Sequence, residues 1–150
     1  MKKIFVAVFL LCCSNFLFAQ IQNPVSWTAT SQKIADNTYE IHLTADINQG
    51  WHIYSQTTPD GGPVPTSITF TKNPLLTLEG TAKEVGKLEK HNEPLFGVDV
   101  KQFSNKVDFV QKVKLKAPVK TSVNVAVEFM VCNDKQCLPP STRKFTVALK

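Results

Sequence analysis

The chain has 150 residues, with nine prolines, four cysteines and a formal net charge of +5. That length suits one ordinary domain able to bury a real apolar core without help from disulfides. The basic residues are spread along the chain instead of clustered, which argues against a nucleic-acid surface and leaves solubility as the role of the charge.

The first residues stand apart from that domain. Lys2 and Lys3 precede the apolar run IFVAVFLLCC, and SNFLFAQ then offers a cleavage site with Ala19 as the last residue removed. This is the layout of a secretory signal peptide at 1–19, leaving a mature domain at 20–150. The apolar run falls short of the about 20 residues that a spanning helix needs. Neither Cys12 nor Cys13 follows the small residue expected before a lipidated cysteine. The expected product is exported to the periplasm, where disulfides form and persist.

Beyond the leader the pattern is one of strands. VSWTATSQ alternates Val25, Trp27 and Ala29 against polar residues, and TYEIHLTADI alternates Tyr39, Ile41, Leu43 and Ala45. Period two with one buried face marks an antiparallel strand. After the turn NQG comes WHIYSQ, and DGGPVP breaks the chain again. TSITF, LLTLEGTA and KVDFVQKVKLK follow, then TSVNVAVEFMV, with Val123, Val125, Val127 and Phe129 on one face. KFTVAL closes the chain. No apolar stripe holds helical spacing over three turns, and prolines from Pro63 to Pro140 interrupt the places where helices would run. Seven to nine short strands predict an all-β, immunoglobulin-like antiparallel sandwich, with a small closed barrel as the alternative. Residues 86–106 resist this pattern and are expected to form a long surface excursion that ends in a strand. The apolar Leu95 and Phe96 within it need somewhere to pack.

The pair expected to survive processing is Cys132 and Cys137, separated by Asn-Asp-Lys-Gln and followed by Leu138-Pro139-Pro140. A strand enters Cys132 and another leaves shortly after Cys137, which brings the two sulfurs within bonding reach. A bridge closing about six residues restrains the unfolded chain by about 2 kcal/mol, against nearly 5 for a loop of about 100. Local bridges of this kind are often exchangeable. Lys135, Arg143 and Lys144 favour thiolate and Asp134 opposes it. Three readings stand side by side: a structural staple, a redox pair and a metal site. The last lacks support, because a zinc site wants four ligands and His42, His52 and His91 lie far off in sequence.

FMVCNDKQCLPPSTRKFTVAL, together with GWHIYSQ and NEPLFGVDV, resembles the N-terminal periplasmic domain of the thiol:disulfide interchange protein DsbD. The resemblance covers roughly Asn23 to Lys150 and implies an immunoglobulin-like sandwich. It implies a protein-disulfide reductase component whose Cys132 and Cys137 cycle between disulfide and dithiol without a cofactor or metal. Electrons would come from a membrane-embedded thiol carrier through a thioredoxin-like domain and pass to oxidised periplasmic proteins. The family's cap loop corresponds to Glu93, Leu95 and Phe96, and its aromatic site wall to Trp51 and Tyr54. Two departures stand out. The cysteine spacing is one residue tighter, and Leu95 before Phe96-Gly97 replaces Phe before Tyr-Gly. The chain also ends after this domain, so the electron source is expected on another protein. Cys137, beside two prolines that cannot donate to a ladder, is the expected partner-bonding sulfur, with Cys132 resolving. His52, opposite in parity to Trp51 and Ile53, is expected at the solvated surface, as are the carboxylates of Glu93 and Asp134. The competing function is a non-catalytic binding module in which Cys132–Cys137 is a loop staple.

Overall fold

A computed structural model describes residues 23–150, all of it strands and connections; the expected signal peptide at 1–19 lies outside the described residues. Among the described residues, nine strands form two antiparallel sheets. β1 (Val25–Ala35) and β2 (Thr38–Ile47) make a hairpin whose turn holds Asn37 at φ 56°, a left-handed conformation that asparagine tolerates. The long strands β5 (Leu76–Glu93) and β6 (Val98–Leu115) form a second hairpin. The other edge of β6 pairs with β2 along residues 106–114 and with β3 (His52–Tyr54) along 102–104. β8 (Val131–Cys132) completes the large sheet by pairing with β3. The smaller sheet holds β4 (Ser67–Phe70), β7 (Thr121–Phe129) and β9 (Ser141–Leu149) in the order β4-β7-β9. Two separate sheets make the domain an immunoglobulin-like sandwich and not a closed barrel.

The core between the sheets comes from the alternating residues. Ile41, Leu43 and Ala45 of β2 meet Val107, Phe109 and Val113 of β6, and across the sandwich lie Val123, Val125, Val127 and Phe129 of β7. Trp27 roofs this layer, its ring centroid 5.9 Å from Phe109 and 5.1 Å from Phe129. Aromatic pairs at such separations add about 0.5–1.5 kcal/mol beyond the area that they bury.

Residues 86–106 are not a loop. They form the outer half of the β5–β6 hairpin, and only Pro94 to Gly97 turn the chain. Two features hid the strands. Register shifts between Glu79 and Lys83 and between Gly86 and Leu88 break the alternation, and β5 is exposed along most of its length. Within β6 the parity is kept across Asn105, which stands at φ 64°. Phe103 before it and Val107, Phe109 and Val113 after it all face the main core, whereas Val100 belongs to a second cluster on the other face.

Candidate functional site

The second cluster is the site. Ile53 of β3 faces the main core, so its neighbours His52 and Tyr54 point to the opposite face of the large sheet. The same alternation operates on β8, where Val131 joins the main core and Cys132 faces away. Tyr54, Val100 and Cys132 pack there, fully or almost fully buried, with Val98, Met130 and Cys137 partly buried against them. Met130 marks the point where the chain leaves the small sheet after β7 and joins the large one as β8. Its sulfur accepts the Val64 N–H at 3.4 Å, which holds the 55–66 connection against the cluster. Gly62 is required there, because a Cβ would come within 2.6 Å of Val98 Cγ2.

Cys132 and Cys137 are joined by a disulfide, with their Cα atoms 4.0 Å apart. They also face each other as an isolated antiparallel bridge. Hydrogen bonds from Leu138 N to Val131 O and from Asn133 N to Gln136 O lie on either side of the pair, each 2.9 Å. Cys132 and Cys137 are therefore a non-hydrogen-bonded pair, the arrangement that brings opposite Cα atoms closest. The side-chain oxygen of Asn133 accepts the N–H groups of Lys135 and Gln136, both at 2.9 Å, and so shapes the four-residue loop. The two residues differ in exposure: Cys132 is wholly buried, whereas Cys137 is partly exposed.

Next to the pair lies a polar group whose burial the sequence did not suggest. Glu93, the last residue of β5, is 1% exposed. Its Oε2 accepts the Tyr54 hydroxyl at 2.7 Å and lies 3.2 Å from His52 Nε2. His52 Nε2 is also 3.1 Å from the Tyr54 oxygen. The expectation that His52 is solvated is overturned. Its parity was right, but the hairpin end carrying Glu93 covers that face. The same contacts overturn a solvated Glu93, whereas Asp134 is exposed as expected. Burial lowers the pKa of His52, with the Glu93 hydrogen bond and charge acting against it. Burial, followed by the Glu93 contact, raises that of Tyr54.

The backbone oxygen of Glu93 accepts the N–H groups of Phe96 at 3.1 Å and Gly97 at 2.7 Å, which closes the Pro94–Gly97 turn. Gly97, at φ 67°, takes the left-handed position that a Cβ would penalise. Leu95 and Phe96 ride on this turn at 48% and 38% exposure, and Trp51 packs against the main core. Of the expected site residues, Cys132, Cys137 and Tyr54 come together in one cluster, with Glu93 bound to Tyr54. Trp51 stands behind on the core side. Among the described residues no three His, Cys, Asp or Glu side chains converge as a metal site would require, and no helix is long and apolar enough to cross a membrane.

An antiparallel sandwich with a disulfide in a tight loop at the sheet edge, one of its cysteines partly exposed, defines a class of thiol-bearing immunoglobulin-like domains. Within it, residues 22–149 match the family model described as thiol:disulfide interchange protein DsbD, N-terminal, and the chain belongs to that family. Solved structures share the fold. The reduced DsbD N-terminal domain of Neisseria meningitidis superposes with a TM-score of 0.51 at 14% identity, over 81% of this chain and 84% of that one. The same organism's DsbD N-terminal domain in complex with the PilB N-terminal domain gives 0.52 at 13% identity, over 85% and 87%. The N-terminal periplasmic domain of ScsB from Proteus mirabilis gives 0.50 at 16% identity, over 83% of this chain and 44% of that one. No curated protein sequence matches the chain.

Proposed function

We propose that this domain is a periplasmic thiol:disulfide relay whose Cys132 and Cys137 take electrons from a thioredoxin-like donor and pass them to oxidised proteins. A membrane-embedded thiol carrier would supply that donor. Family membership supports the chemistry, and the complex of the Neisseria domain with a PilB domain supports protein partners. The observation that carries the reading is the asymmetry of the pair. A buried Cys132 and a partly exposed Cys137 divide the labour that exchange needs. A bridge across so short a loop also adds little as a staple.

In the reducing direction, the Cys137 thiolate attacks one sulfur of a substrate disulfide and releases the other as a thiolate. A mixed disulfide results. The Cys132 thiolate then attacks Cys137 Sγ, expels the second substrate sulfur and re-forms the internal bond. The two protons of the starting dithiol end on the two substrate thiols. Leu95 and Phe96 act as a cap that slows attack by small oxidants, with Glu93 as its anchor. Tyr54 forms the wall of the site and Trp51 backs it from the core.

Replacing each cysteine tests the division of roles. Cys132→Ser is expected to accumulate a mixed disulfide with a thioredoxin-like partner, and Cys137→Ser to accumulate none. The opposite pattern reverses the roles. The absence of any mixed disulfide from both variants defeats the reading.

A further inference from the structure

His52 and Cys132 are direct cross-strand partners where β3 pairs with β8. Residues directly opposite share a face, with Cβ atoms about 4.5–5.5 Å apart. The imidazole is therefore a neighbour of the sulfur that must lose its proton late in the exchange. Its hydrogen-bond partners fix which nitrogen is free. Glu93 Oε2 already accepts the Tyr54 hydroxyl and can only accept again, so the proton between it and His52 sits on Nε2. Nδ1 is left with a basic lone pair. A sulfur, an imidazole and a carboxylate so ordered follow the logic of an activated nucleophile, in which the acid orients the base and stabilises its protonated form.

We propose that His52 is the general base for Cys132, taking its proton when that sulfur resolves the mixed disulfide held on Cys137. This rests on the exchange reading above and adds a residue to it. The proton leaves Cys132 for His52 Nδ1. The resulting thiolate forms the bond to Cys137 Sγ as the Cys137–substrate bond breaks, and the departing substrate thiolate collects a proton from the imidazolium or from water. Burial keeps His52 neutral and ready to accept. Of the charged groups that act on the ring, Glu93 at the end of β5 and Asp134 in the cysteine loop favour the imidazolium, and His91 of β5 opposes it. Glu89 of β5 also feels the His52 charge. An ordinary thiol with a pKa of about 8.5 is only a few per cent thiolate at neutral pH, so an effective base is worth on the order of tenfold in rate.

The reduced, full-length mature protein mixed with one equivalent of dithiobis(nitrobenzoate) reports both steps by colour. The first thiolate released marks attack by Cys137, and the second marks resolution by Cys132. His52→Gln keeps an N–H donor for Glu93 but cannot take a proton. It is expected to slow the second phase about tenfold at pH 7 and leave the first unchanged, with the difference gone near pH 10. Second-phase rates equal to those of the unsubstituted protein at every pH overturn the proposal, as do two phases slowed alike. Should the variant fail to fold, the unsubstituted protein decides. A second phase that levels off above a bend below pH 6.5 supports the base, and one that rises tenfold per pH unit up to the thiol range overturns it. If the unsubstituted protein releases no second equivalent, the exchange reading itself fails and the base with it.

Discussion

The Tyr54 hydroxyl meets the Glu93 carboxylate at 2.7 Å, and this contact, beside that of His52, ties the turn of the β5–β6 hairpin to the strand paired with Cys132. Glu93 holds the turn with its backbone oxygen and the sheet with its side chain. Tyr54→Phe removes the hydroxyl and leaves His52 as the remaining donor to a buried carboxylate. The expected cost is about 1–2 kcal/mol in denaturant unfolding. The variant dithiol should also oxidise faster with a small disulfide. That acceleration should vanish when Leu95 and Phe96 are both alanine, since an anchor has no effect once its cap is gone. Full acceleration in the capless background would contradict the link.

Leu95 and Phe96 are about half exposed and belong to neither buried cluster, so their replacement separates shielding from stability. The double alanine variant is expected to unfold within about 0.5 kcal/mol of the parent, because partly exposed side chains away from buried contacts contribute little. Its reduced form should nevertheless lose its thiols to a small oxidant several times faster. Unchanged oxidation kinetics would remove any shielding role.

His52 sets an acid limit. Its pKa in the folded state lies below the ordinary 6.5, chiefly through burial. The unfolded chain therefore binds the proton more readily, and stability rises with pH across this interval. The contribution is complete above about pH 6.5 and is lost as pH falls through the lower folded value. His52→Gln should flatten this part of the stability profile, measured by unfolding from pH 7.5 down to 4.5. A profile as steep as that of the parent would place the acid sensitivity on other groups.

Opening the Cys132–Cys137 bond should leave the fold standing. The chain-entropy effect of so short a loop is about 2 kcal/mol, small beside the sandwich core described above. The reduced protein is expected to keep its far-ultraviolet and near-ultraviolet circular dichroism and to unfold cooperatively at slightly lower denaturant. Global unfolding on reduction would make the bridge a staple and weaken the case for a working pair.

Much of the sandwich was legible because burial on one face leaves a period of two. Val123 to Phe129 and Tyr39 to Ala45 announce their strands, and the core uses those same residues. The outer hairpin was not legible. Its strand β5 is solvated along most of its length, and the bulges interrupt whatever alternation remains. The site was half legible. The cysteine loop and Tyr54 carried recognisable residues, but the burial of His52 and Glu93 depends on the far end of the β5–β6 hairpin reaching the face that carries His52. Nothing within four residues of His52 records that cover. The nearest local signal was a histidine set between two aromatics on a strand, with a glutamate 41 residues away.

The central claim is that the Cys132–Cys137 bond exchanges with another protein's thiols. Its most direct test offers the oxidised, folded protein an excess of a reduced thioredoxin-like domain and follows the two cysteines by alkylation and mass. Conversion to the dithiol within minutes is expected, passing through a mixed disulfide on Cys137. A bridge that stays intact while the domain remains folded would contradict the account and leave Cys132–Cys137 as a structural link.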